Sequence, residues 1–138
     1  VTSRPGDLGG LIARRAAEEG ARVALLCDST REYPGEGDGR ESAPYLRLSC
    51  DPGVRSEVQA AIREIESRIG PIEIVINATS SLWATIHATL ESLRGMAERG
   101  RGRVVNIVSH VPGYGFSKGL HAQLNGLGVR VTTVVSAP

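Results

Sequence analysis

Lysine is almost absent from this chain: of sixteen basic residues fifteen are arginine, and Lys118 alone is lysine. Aromatic residues are scarce too, at 4%, with one Phe and one Trp. Two cysteines, Cys27 and Cys50, cannot form a disulfide framework. Without a secretion signal, free half-buried thiols are expected of them. No apolar run approaches the ~20 residues that span a membrane, and no signal-peptide pattern opens the sequence, so a cytoplasmic location is expected. A formal net charge of +1 gives no reason to expect nucleic acid or a membrane surface as partner. Carboxylates are missing from one stretch altogether. Residues 1–98 hold 11 basic and all 15 acidic residues, whereas residues 99–138 hold Arg99, Arg101, Arg103, Lys118 and Arg130 and no acid. That segment is either a solvated basic surface or a positive environment for phosphates or a phenolate.

At 138 residues and 41% hydrophobic, one compact domain over 1–138 is expected, with no repeat or low-complexity tract. Val1-Thr2 reads as the last scrap of a strand, followed by a glycine-bearing turn. Leu8, Leu11, Ile12 and Ala16 recur at helical spacing up to Gly20. Residues 22–27 (RVALLC) read as a buried strand, 28–44 as a long loop and 45–50 (YLRLSC) as a strand. Pro52 opens a helix with Val54, Val58, Ala61, Ile62, Ile65 and Ile69 on one face, stopped by Gly70-Pro71. Residues 72–77 (IEIVIN), 103–108 (RVVNIV) and 129–135 read as strands, with helices over 82–98 and 116–127. Such alternation means an α/β fold with a parallel sheet between helices.

In a doubly wound sheet, ligands bind at the carboxyl ends of the strands. The residues found there are Ser3, Arg4, Gly6, Asp7, Leu8 and Gly9 after the first strand and Asp28 after the second. Asp51-Pro52 follows the third, Asn77-Ala78 the fourth, and Ser109 the fifth, with Tyr114 and Lys118 beyond. Glycines ahead of a helix let the backbone approach a pyrophosphate, whose charge the helix N-terminus stabilises. Asp28, 19 residues past Gly9, stands about where an acid would hydrogen-bond an adenosine ribose. Tyr114 and Lys118, four apart, share a face if helical. A phenol with a reference pKa of ~10 is a poor acid at neutral pH, and a nearby ammonium favours its phenolate. Ser109 could hydrogen-bond the reacting oxygen.

Together these stretches resemble the short-chain dehydrogenase/reductase family of the classical type. TSRPGDLG resembles its TGxxxGxG phosphate loop, CDP its adenine-side aspartate, INAT its NNAG, NIVS its serine strand and YGFSK its YxxxK. GVRV and SAP, ending in Pro138, resemble its late strand and the start of its nicotinamide-side turn. The resemblance implies a Rossmann-like doubly wound sheet in three layers with an incomplete first strand. It implies NAD or NADP as cofactor, with Asp28 favouring NAD and Arg4 arguing the reverse. Ser109, Tyr114 and Lys118 become catalytic candidates for hydride transfer between a carbonyl and an alcohol. Ser3, Arg4, Gly6, Leu8, Gly9, Asp28, Asp51, Pro52, Asn77, Ala78, Tyr114, Lys118 and Pro138 become cofactor-binding candidates.

The departures are as specific as the matches. Ser3 and Asp7 replace glycines of the phosphate loop, and Asp7 adds a negative charge there. Ile76 and Thr79 replace the first and last residues of NNAG, and Thr89 stands in place of the family's catalytic asparagine. Only four residues separate Ser109 from Tyr114. The helices over 82–98 and 116–127, which in the family pair subunits, look about two turns or ~11 Å short, so a homo-oligomer would rest on a reduced interface. The chain is thus expected to be a shortened or truncated member. Two functions stay open: an NAD(P)-dependent oxidoreductase on a small carbonyl/alcohol substrate, and a non-catalytic or fragmentary dinucleotide-fold module that binds weakly or pairs with another chain.

Two further patterns compete with that resemblance. Gly115 to Gly119 matches GxSxG, but that hydrolase turn needs an acid and then a histidine after its serine, and no acid follows Glu98. No Cys, His or carboxylate cluster has metal spacing, so no metal is expected, and His110 and His121 read as surface residues.

Overall fold

The structure, a computed structural model, describes residues 1–2, 8–29, 44–109 and 111–136. In chain order the elements are α1 (Leu8–Glu18), β1 (Ala24–Asp28), β2 (Leu46–Cys50), α2 (Arg55–Ile69) and β3 (Ile74–Asn77). They continue with α3 (Leu82–Arg99), β4 (Gly102–Val108), α4 (Val111–Leu124) and β5 (Val129–Val135). Every strand pairing among the described residues is parallel. β1 pairs with β2, and β3, β4 and β5 follow one another in a second ladder. Thr2 joins the two ladders, bridging Leu26 on one side and Asn77 on the other. Counting Val1-Thr2 as the first strand, the spatial order in chain sequence is 3-2-1-4-5-6. That is the doubly wound order of dinucleotide-binding folds.

Burial explains why the short strands form. Ala24, Leu25, Leu26 and Cys27 are all buried, as a central parallel strand requires. Leu25 and Cys27 pack with Ala13 of α1, whereas Ala24 and Leu26 pack with Val58, Ala61, Ile62 and Ile65 of α2. Helices therefore cover this half of the sheet on both faces, giving three layers. In the other half, Val75, Val104 and Val129 pack with Met96 of α3 and Leu120 and Leu124 of α4.

Several boundaries differ from those expected. α2 starts at Arg55 rather than Pro52, after an uncapped Val54, and ends as expected at Gly70, whose φ of 104° suits glycine. The loop of 28–44 lies largely outside the described residues. α4 begins at Val111, five residues before the expected start at Phe116. Pro112, Gly113 and Gly115 read as loop in the sequence. Yet proline is tolerated in a first turn, and Gly113, Ser117, Leu120 and Leu124 form one buried stripe. Packing on the sheet overrides the poor local propensity. α4 is correspondingly longer than expected, at 14 residues, beside 18 in α3. The cysteines form no disulfide and are buried rather than half-buried, and they lie in separate clusters on opposite faces of the sheet. Among the described residues no helix is long and apolar enough to cross a membrane.

Candidate functional site

Because all the strands run parallel, their carboxyl ends share one edge of the sheet. Thr2, Asp28, Asp51, Asn77-Ala78 and Ser109 all stand at strand ends on that edge. α1 starts just past the first of these ends, and its first turn carries no acid among the described residues. Gly9 and Gly10 are buried there, while Leu8 is exposed. Ser3, Arg4, Gly6 and Asp7 of the expected phosphate loop lie outside the described residues, as do His110 and Pro138.

Beneath the edge runs a buried chain of polar side chains. Thr2 Oγ1 donates to Asn77 Oδ1 at 2.8 Å. The Asn77 amide donates in turn to Thr89 Oγ1 at 2.9 Å and to Asn106 Oδ1 at 2.8 Å. Asn106 Nδ2 donates to Ser117 Oγ at 3.1 Å, and Ser117 and Thr133 share a hydroxyl hydrogen bond of 2.5 Å. Thr2, Asn77, Thr89, Asn106 and Ser117 are all buried, so each hydrogen bond replaces one that water cannot supply. The chain of bonds crosses the first strand, β3, β4 and β5 and pins both α3 and α4 to them. Asn77 thus sits where expected, but its amide is committed to protein partners. Thr89 likewise is a buried partner of Asn77. Sequence reasoning misses Asn106, Ser117 and Thr133. The signal available is Asn106 in the middle of an otherwise apolar strand, where a polar side chain needs a partner.

Ser117 fixes the rotation of α4. With Ser117 turned inward, the next stripe round the helix carries Tyr114, Lys118 and His121, all exposed. Tyr114 is 49% exposed and stands one turn before Lys118. Ser109, also exposed, directly follows β4 and precedes Tyr114 by five residues. Ser109 thus stands at the end of β4, and Tyr114 and Lys118 lie on the outward stripe of α4.

Side chain to backbone hydrogen bonds hold the turn after β2. Asp51 Oδ1 accepts from the Gly53 N–H at 2.8 Å, and Glu57 Oε2 accepts from the Asp51 N–H at 2.7 Å. Asp51 thus shapes the turn ahead of α2 rather than capping the helix. His87 of α3 reaches the same turn, donating through Nδ1 to the Pro52 carbonyl at 2.6 Å, since a carbonyl only accepts. Trp83, 61% exposed, stacks at a tilt on His87, with ring centroids 5.4 Å apart. An ion pair of 2.7 Å between Arg55 and Glu91 adds a second tie between α2 and α3. Burial, helped by Glu57, Asp28 and Asp51, pushes the Cys50 thiol up to about 11. Among the described residues no group of three or more His, Cys, Asp or Glu could hold a metal ion.

No protein-family model matches the chain. A Streptomyces coelicolor protein named as a ketoacyl reductase is 28% identical, over 97% of this chain and 67% of that protein. Nodulation protein G of Azospirillum brasilense is 29% identical, over 97% of this chain and 71% of its own length. A metagenomic short-chain oxidoreductase solved with NADP superposes with a TM-score of 0.78 at 18% identity, over 98% of this chain and 79% of that one. Over nearly its whole length the chain is similar to members of the short-chain dehydrogenase/reductase family. Its 138 residues span about two thirds of the length of the first of these relatives, and the structural match bears on the fold alone.

Proposed function

We propose that this short-chain dehydrogenase/reductase relative is an NAD(P)-dependent oxidoreductase that interconverts a carbonyl and an alcohol, working as a single domain over 1–138. The observation that carries the reading is the shared placement of Tyr114 and Lys118, one turn apart on the exposed stripe of α4, beside the end of β4 that Ser109 follows. Tyr114 would donate a proton to the substrate oxygen in reduction and take it back in oxidation. Lys118, a compact ammonium on a flexible stem, would hydrogen-bond a ribose hydroxyl of the cofactor. Ser109 would hydrogen-bond the same oxygen as charge develops on it.

Several residues support a dinucleotide at this edge. Gly9 and Gly10, buried in the first turn of α1, suit a close backbone approach to a pyrophosphate. Asp28 stands at the end of β1 for an adenosine ribose, Ala78, Asp51 and Pro52 occupy the adjoining strand ends, and Asn77 would act only by holding the end of β3 in place. When bound, the nicotinamide supplies or accepts the hydride. Among substrates, a ketoacyl group is favoured by the name of the Streptomyces coelicolor relative. The test is turnover of a 3-oxoacyl thioester with NADH and NADPH, in the chain and in Tyr114→Phe. Turnover in the chain that the variant loses is expected, and equal turnover in both would overturn the assignment.

A further inference from the structure

The half of α4 that carries Tyr114 and Lys118 is weakly keyed to the sheet by apolar packing. Its inward stripe is Gly113, Ser117, Leu120 and Leu124. Both leucines lie further along the helix, in the cluster with Val104 and Val129. Ahead of them the stripe offers only a glycine and a serine, and Phe116 beside it is partly buried. A Cβ at Gly115 or Gly119 would meet open space, so neither glycine makes room for a neighbour, and each weakens the helix relative to alanine.

Polar contacts take over where the apolar ones stop. Ser117 is fully buried, and its Oγ meets Asn106 of β4 at 3.1 Å and Thr133 of β5 at 2.5 Å. Asn106 and Thr133 are direct neighbours in the β4–β5 register, so two adjacent strands hold one oxygen between them. Hydrogen bonds are directional, whereas apolar contact is not, and this pair therefore fixes the angle of the helix about its axis. At ~3.6 residues per turn, Tyr114 stands ~60° and Lys118 ~100° round the helix from Ser117. A rotation of ~10° carries a side chain ~6 Å from the axis through ~1 Å, and a misplacement of that size can cost about 10²-fold in rate.

We propose that Ser117, held by Asn106 and Thr133, is a positioning residue for Tyr114 and Lys118. It sets the angle at which α4 presents both side chains to the reacting oxygen near Ser109. The proposal rests on the oxidoreductase reading above. Ser117 is buried against the sheet, so it acts through the helix and not on the substrate. Thr133, on a strand that carries none of the candidate site residues, shares the task from the opposite side of the bond.

The test separates angle from stability. Ser117→Ala removes both bonds, and Gly119→Ala in the same chain strengthens the helix where a Cβ meets nothing. Gly119→Ala alone is the reference for that double variant. Thr133→Val removes one bond at nearly constant shape, and Thr133→Ser keeps it. Each form is read by turnover of a 3-oxoacyl thioester, by cofactor affinity and by fluorine NMR of 3-fluorotyrosine, in which Tyr114→Phe assigns the Tyr114 line. The double variant is expected to lose about 10²-fold in kcat, more than it loses in cofactor affinity, and its Tyr114 line is expected to move or broaden. Thr133→Val should lose about 10-fold and Thr133→Ser should keep the parent rate. An unmoved Tyr114 line in the double variant, a loss of kcat that Gly119→Ala restores, or equal rates in the two Thr133 variants would each overturn the proposal. A parent chain without turnover, whose Tyr114 line still moves in the double variant, would support the positioning and overturn the oxidoreductase reading instead.

Discussion

Replacing Asn106 by Leu should be a costly single change in the polar chain. Asn106 is fully buried, accepts from Asn77 and donates to Ser117. The substitution removes two hydrogen bonds of ~1 kcal/mol each. It also leaves one Asn77 amide hydrogen without its partner in a dry interior, a further ~1–3 kcal/mol, while Thr89 still holds the other. The leucine is close in size, so a cavity contributes little. The sum is about 3–5 kcal/mol, which at ~3–4 °C per kcal/mol for a chain of this size predicts a fall of about 10–20 °C in melting temperature. Thermal unfolding followed by far-ultraviolet circular dichroism reads it directly. A double-mutant cycle with Asn77→Leu should show coupling above ~0.5 kcal/mol, because the two side chains share a bond. A fall below ~3 °C, or additive single effects, would refute the claim that these bonds pin β3 to β4 and α4.

Other outcomes follow from the same structure. Burial lowers the Val1 amine from 8.0 to about 6, so between those values the unfolded chain binds more protons than the folded one. Stability should therefore rise with pH from about 6 to 8, by up to ~3 kcal/mol, and N-acetylation should abolish the rise in urea titrations. Cys50, its thiol pushed up to about 11, should resist iodoacetamide at pH ~8 in the folded chain and react once unfolded. Gly128→Ala should destabilise the chain by ~2 kcal/mol or more in the same titrations, since φ is +76° and a Cβ would collide with the Gly100 carbonyl. Tyr114→Phe should cut turnover ~10²–10⁴-fold while cofactor affinity changes little.

The sheet was legible because its signals are local. Apolar runs such as RVALLC and the 3.6-residue repeat of Val58, Ala61, Ile62 and Ile65 report burial residue by residue. Their order along the chain implies parallel pairing. The start of α4 was not legible, since Pro112, Gly113 and Gly115 favour a loop locally and only contact with the sheet reverses that. For the site, the motif positions singled out Asn77 and Thr89 but said nothing of their bonds. Those bonds join residues 75 or 29 positions apart, such as Thr2 with Asn77 and Asn77 with Asn106, and no local pattern encodes them.

The central claim is that the carboxyl edge of this sheet holds a nicotinamide dinucleotide for hydride transfer at Tyr114. Titrating the folded 138-residue chain with NADH and with NADPH, followed by nicotinamide fluorescence, tests it most directly. Saturable binding below about 1 mM is expected, a free energy of roughly −4 kcal/mol or better. No saturation by either cofactor at millimolar concentration, in a chain shown to be folded, would contradict it.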